Sequence, residues 1–316
     1  MTETLYIATV IANPLKWNSR IDLAKKAVQS WLKEPNVKVY LVECLYGTDE
    51  NYLLTLDDNK NENYTHIKVK ANTPPWSKEN LLNIAVSHMP SNAQKIAFFD
   101  ADVTYRKSGW VEHILHALNL YVVVQPWTQA IDLGPNDEVL FVHTSFANIN
   151  HYQKPIIPIG TKFWTDSKYS YPHPGYAWAW QRNSLDFVGG LYQYAGMGAA
   201  DHTMAVAMIG RYKLGIQKDM GDNYRHSVAQ WSNRAYDHIK GKIGYTLDTI
   251  EHPFHGKKSN RGYQSRWDIF VEAGFDPTTD LKINSYGVLE FAGNKPQLEL
   301  KWINYLKSRD EDTNNL

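Results

Sequence analysis

Asp100 and Asp102 close the apolar run KIAFF with a single alanine between them. Burying a carboxylate without a partner is costly, so acids at the end of a buried strand need hydrogen-bond donors, solvent or a cation. Residues i and i+2 of a strand point the same way, and two carboxylates aligned like this repel unless a divalent cation lies between them. Hard oxygen ligands suit Mg²⁺ or Mn²⁺, whose remaining positions are commonly filled by substrate phosphates. A second Asp-x-Asp, Asp310 and Asp312, stands in a hydrophilic tail and reads as solvated.

Two later stretches add to this chemistry. In GMGAADHTM the small residues around Gly198 allow a backbone to approach a ligand closely, and Asp201 then opens a helical pattern with His202 beside it. An acid there can serve as a general base toward a hydroxyl or simply cap the helix. In TIEHPFHGKKSNRGYQSRW, His252 and His255 precede Lys257, Lys258, Arg261 and Arg266. A neutral imidazole can complete the coordination of a metal held by carboxylates, and the cations can neutralise a departing diphosphate. Trp127, Tyr176, Trp178 and Trp180 have apolar faces that could wall a sugar or an acceptor, although such rings are also ordinary core material.

The elements that must position these groups alternate. Strands are predicted at 4–12, 37–46, 66–71 and 95–103, with helices at 19–32 and 77–89, each behind a Ser cap. That order is the pattern of a mostly parallel sheet covered on both faces, whose ligand crevice lies outside the carboxyl ends of the strands. Further on, strands are predicted at 121–127 and 138–146, and a strand, short helix and Gly turn at 176–190. A helix at 200–210 and a last helix fraying into the tail follow, while 148–174 reads as a long loop or flap over the site.

With 316 residues and 43% hydrophobic content, the chain can bury an ordinary core. Lys plus Arg and Asp plus Glu both total 33, so no global field points to nucleic acid or an anionic membrane. No apolar run is long enough to span a bilayer and the start has no basic leader, from which a cytoplasmic location is inferred. Cys44, the one cysteine, excludes an internal disulfide and reads as a buried strand residue.

The ordered motifs resemble the nucleotide-sugar glycosyltransferases of the GT-A fold, family 2 and galactosyltransferase-like members in particular, and glycosyltransferase-like proteins of phages and bacteria. These motifs are a strand ending in Asp100-Ala-Asp102, the segment PGYAWAWQRNSLDFVGGL, the acidic helix start at Asp201 and a late His near basic residues. The resemblance spans about residues 4 to 270. It implies one large Rossmann-like α/β domain over 1–270, with a nucleotide-binding half to about 105 and an acceptor half beyond, and a helical extension over 271–316 packed on it. It further implies Mn²⁺ or Mg²⁺ on Asp100 and Asp102 with His255 ahead of His252, and a nucleotide-sugar donor, UDP-sugar favoured. Asp201 would be the base of an inverting transfer, and Ala200 stands where the family often has Glu. Asn13, Pro14, Arg20 and Glu43 fall where such folds hold base and ribose, and Lys257, Lys258 and Arg261 would face the diphosphate. The acceptor stays open: a hydroxymethylated pyrimidine in phage DNA, a glycan and a protein are all compatible with the sequence. The competing readings are a metal-dependent nucleotidyltransferase, which usually wants an early phosphate loop, and a carbohydrate-binding protein, which has no need of the aspartate pair.

Overall fold

A computed structural model describes residues 3–54, 61–152, 172–263 and 265–313. Its first half follows the alternation in the sequence: β1 (Leu5–Ala12), α1 (Asn18–Trp31), β2 (Val37–Tyr46), β3 (Tyr64–Ala71), α2 (Lys78–Ser87) and β4 (Lys95–Phe99). β2 and β4 flank β1 and β3 lies outside β2, all parallel. All five residues of β4 are buried, as a parallel strand covered on both faces requires.

After β5 (Thr104–Tyr105) come α3 (Trp110–Leu120), β6 (Val123–Gln125), β7 (Gln129–Leu133), β8 (Val139–Ser145) and α4 (Phe146–His151). Most of the expected flap, residues 153–171, lies outside the described residues. The chain continues through β9 (Pro172–His173), β10 (Ala177–Gln181), α5 (Arg182–Val188), α6 (Ala200–Met208), α7 (Asp222–Ile239), β11 (Gly244–Tyr245) and β12 (Thr249–His252). It ends with α8 (Ser265–Glu272), the hairpin β13 (Leu281–Ile283) and β14 (Leu289–Phe291), and α9 (Pro296–Ser308).

The result is a mixed α/β fold. Its main sheet runs β11-β6-β10-β4-β1-β2-β3, with β10 antiparallel to both neighbours. One face packs on α1 and α3 through Val28, Trp31, Trp110 and Ile114. The other packs on α2, α6 and α7, and Phe275, Val288, Leu298 and Trp302 of the last segment join the same core. A second sheet, β5-β12-β7-β8-β9, stands beside the crevice, and its register sets His252 opposite Asp132. No helix of the described residues is long and apolar enough to cross a membrane.

Neither Ser19 nor Ser77 caps its helix with its side chain. The start of α1 is capped instead by the tail: Asp312 accepts from the N–H groups of Asn18 at 3.0 Å and Ser19 at 2.8 Å. Asp312 is exposed, as expected, yet also engaged, because α9 returns the chain to where α1 exposes unpaired amides that attract an anion. Beside it Glu311, 2% exposed, accepts from Arg20 Nη2 at 2.8 Å and lies 2.6 Å from Arg309 Nε. Burial alone would raise the Glu311 carboxyl, but Arg20, His255 and Arg309 outweigh it and hold it well below the usual carboxylate range. Glu311→Gln should cost about 3 kcal/mol, since it strands buried guanidinium groups. Urea denaturation showing a loss below about 1 kcal/mol would mean that the tail is not a structural clamp.

Candidate active site

The carboxyl ends of β1 and β4 open on a cavity of about 440 Å³. Asp100 and Asp102 lie just past β4, in a turn closed by Val103 N–H donating to Asp100 O at 3.2 Å, so strand alternation does not align them. They have different partners. Asp100 Oδ1 accepts from Lys78 Nζ at 2.9 Å, whereas Asp102 Oδ2 lies 3.0 Å from His255 Nε2 and 3.6 Å from His252 Nε2. The expectation that both acids face one cation thus gives way to an Asp102, His252, His255 cluster whose ligand atoms all lie within 4.8 Å of one another.

His252 comes from the end of β12, and its orientation is fixed from behind. Asp132 Oδ1 lies 3.0 Å from His252 Nδ1 and accepts from the Tyr176 hydroxyl at 2.8 Å. Asp132 Oδ2 meets His143 Nε2 and Lys258 Nζ. With Nδ1 engaged by Asp132, Nε2 of His252 is turned toward Asp102 and His255, which lies 3.1 Å away. Burial, with Arg261 adding to it and Asp102 and Glu311 opposing, pushes the His255 imidazole down. Burial would raise Asp102, but His252 and His255 prevail and hold its carboxyl well below the usual range. Its Oδ1 is buried with no hydrogen-bond partner among the described residues. One ionised carboxylate, two imidazoles and an orphaned oxygen fit a divalent cation.

Asp201 faces the same cavity from the first turn of α6. It is not the cap, a position held by Ala199 in the left-handed region, and its Oδ1 accepts from the adjacent N–H of His202 at 2.8 Å. Gly198 adopts φ +86°, which strains any side chain, and a Cβ there would crowd Arg266 Nη1 at 3.2 Å beside the Trp76 ring at 3.4 Å. Asn13, Pro14, Arg20, Tyr176, His202, Lys258 and Arg261 also line the cavity. The Asn13 side chain closes its own turn on Trp17, and the Arg20 guanidinium grips Glu311.

Several sequence candidates lie elsewhere. Glu43 accepts from Leu53 N–H at 2.7 Å and pairs with His66 at 2.9 Å, so its carboxylate is engaged within a separate cavity and does not reach this one. Trp127 is fully buried under Tyr176, and Lys257 lies outside the cavity wall. Trp178 and Trp180 sit in β10 at the centre of the sheet, where they are core and border only a small apolar recess behind Asp201. Sequence reasoning missed Trp76, Lys78, Glu79, Asp132, Arg309 and Glu311. The first three follow Pro74 and Pro75 at the start of α2, the equivalent place to the loop after β1, and that position was the available signal.

No family model matches the chain, and no curated protein does. The structure is similar to a mannosyltransferase of Pyrobaculum calidifontis in complex with GDP-Man and Mn²⁺, at 13% identity and TM-score 0.44 over 85% of this chain and 60% of that one. It is also similar to the catalytic domain of Drosophila β1,4-galactosyltransferase 7 in complex with xylobiose, at 8% identity and TM-score 0.42 over 94% and 99%. A third is GalNAc-T7 with UDP, GalNAc and Mn²⁺, at 11% identity and TM-score 0.39 over 79% and 43%. The chain thus spans 60% of the mannosyltransferase's length, and likenesses this distant leave the chemistry of the site to its own residues.

Burial pushes the Glu79 carboxyl up to about 7, with Lys78 opposing and Asp201 adding to the rise. A carboxyl with a raised folded pKa holds its proton more tightly in the fold than out of it. Its cost to stability is therefore absent below about pH 4 and grows as the pH climbs toward 7. Glu79→Gln should leave the thermal midpoint unchanged near about pH 4 and raise it at about pH 8. An equal shift at both values would show that Glu79 does not titrate in this range.

Proposed function

We propose that the chain is a metal-dependent glycosyltransferase that moves a sugar from a nucleoside-diphosphate sugar to an acceptor hydroxyl, with UDP-sugars the favoured donors. The observation that carries this reading is the meeting, in one crevice at the sheet's carboxyl edge, of the Asp102, His252, His255 set with Asp201. Two imidazoles beside one carboxylate favour Mn²⁺ over Mg²⁺, which prefers oxygen ligands and retains its waters. When bound, the ion would act as a Lewis acid on the leaving diphosphate.

The chain's own groups supply the rest. Asp201 accepts the proton of the acceptor hydroxyl as that oxygen attacks the anomeric carbon from the face opposite the diphosphate, and the bond from that carbon to the diphosphate oxygen breaks with inversion. Arg261 stands against His255 at 3.0 Å, placed to offset charge gathering on the leaving group. Lys78, which burial alone would lower, is raised above the ordinary lysine range by Asp100, Glu79 and Asp201 and so stays charged. Asp132 is a positioning residue, holding the ring of His252 without touching substrate.

UDP and Mn²⁺ together should raise the thermal midpoint where neither does alone, and a UDP-sugar should then be turned over. Asp201→Asn should abolish transfer while UDP affinity changes by less than about twofold, because the amide cannot take the proton. A parallel loss of UDP binding would demote Asp201 to a structural acid. Asp132→Asn should weaken Mn²⁺ binding by about 10- to 100-fold with the fold retained, as read by metal titration. Unchanged metal affinity would remove Asp132 from the site.

A further inference from the structure

The cavity holds a guanidinium whose Nε its neighbours do not satisfy. Arg20 and Arg309 share Glu311, Lys78 pairs with Asp100, Lys258 meets Asp132, and Arg261 lies against His255. Arg266 is 8% exposed and lines the same wall, and its Nε is buried with no hydrogen-bond partner among the described residues. Its charge rests over the Tyr263 ring at 5.3 Å, a contact worth far less than the hydration it replaces. Arg266 also sits in the first turn of α8, the end of a helix that repels a cation.

Its Nη1 lies close to Gly198, where an added Cβ would stand 3.2 Å from Arg266 Nη1 and 3.4 Å from the Trp76 ring. The guanidinium therefore faces the loop that carries Asp201, while the cation at the histidine pair is Arg261. Trp76 forms the apolar side of this corner, and its N–H donates to Gly196 O at 2.7 Å, which ties it to the same loop. A buried guanidinium fork beside an aromatic wall is matched by an oxyanion, carboxylate or phosphate, borne on a compact ring.

We propose that Arg266 and Trp76 form an anion subsite beside Asp201, so that the acceptor is an anionic saccharide with its oxyanion close to the reacting hydroxyl. This rests on the glycosyltransfer reading for the identity of the acceptor, though not for the existence of the subsite. A nucleic-acid acceptor fits less well. Its charge is on the backbone, and a base flipped into this corner would bring a neutral ring to a guanidinium that is almost wholly enclosed.

The test titrates sulfate and acetate calorimetrically into the full chain, with and without UDP and Mn²⁺. Each anion should bind in both states, Arg266→Gln should weaken binding by about tenfold or more, and Arg266→Lys should recover part of it. Competition between sulfate and UDP, or undiminished binding to Arg266→Gln, overturns the subsite. If Arg266→Gln does not fold, Arg266→Lys and the competition arm still decide. With a donor in hand, methyl glucuronide should exceed methyl glucoside in kcat/KM by about tenfold, and Arg266→Gln should erase the preference. Equal use of the two, or preference for a hydroxymethylated oligonucleotide, overturns the anionic saccharide. If UDP does not bind at all, the glycosyltransfer reading falls while the sulfate titration still judges Arg266.

Discussion

The site depends on one buried carboxylate. Asp132 is 2% exposed, and a charge in that position is tolerated only when it is surrounded by donors. His252, Tyr176, His143 and Lys258 converge on it. Tyr176 carries the constraint further: it adopts φ +73°, unusual for a tyrosine, and its carbonyl accepts the N–H of Asp100 at 2.8 Å. Its hydroxyl and its carbonyl thus tie the second sheet to the turn after β4. That link adds to the β5–β12 ladder, which pairs Thr104 with Glu251 and holds Asp102 close to His252.

The C-terminal tail closes the other side. Gly256 follows His255 at φ +84°, and a Cβ there would come within 2.9 Å of Asp310 O and 3.0 Å of Glu311 Cα. The tail and the histidine loop approach so closely that only glycine fits between them. Glu311 lies 3.7 Å from His255 Nδ1 and grips Arg20 from the first helix, so one acid links residues from both ends of the chain to the histidine cluster. Stability and site geometry are coupled at this point.

The early sheet was legible because its signals are local. β2 covers the predicted span, β1 differs by one residue, and α2 begins one residue late. Asp102, Asp201, His252 and His255 were legible as residue types near turns, and they do face one crevice. Their partners were not, because pairing between distant residues leaves no periodic trace. Glu43 looked available at a strand end, yet His66 on the neighbouring strand had already engaged it. Trp178 and Trp180 looked like sugar platforms, yet β10 lies between β4 and β6, where both faces are core. The tail looked solvated because its composition is polar, but composition does not show that α9 turns back to α1. α3 was overlooked despite apolar residues at helical spacing, Trp110, Ile114, Leu115 and Leu118, because the strand after it drew the eye.

The assignment of the base follows from what the other acids are doing. Asp100 is held by Lys78 at 2.9 Å, and a proton delivered there would displace an ion pair. Asp102 belongs to the histidine cluster, where its charge is needed. Glu79 is 3% exposed and lies 3.9 Å from Lys78 Nζ, so its carboxyl presents little surface to a substrate hydroxyl. Glu311 is clamped between two guanidinium groups. Asp201 differs from all four: its Oδ1 holds only the neighbouring amide of His202, and its carboxylate fronts the cavity from a helix start. Among the acids lining this cavity, Asp201 is therefore the one that the proposed mechanism can bring to a substrate hydroxyl.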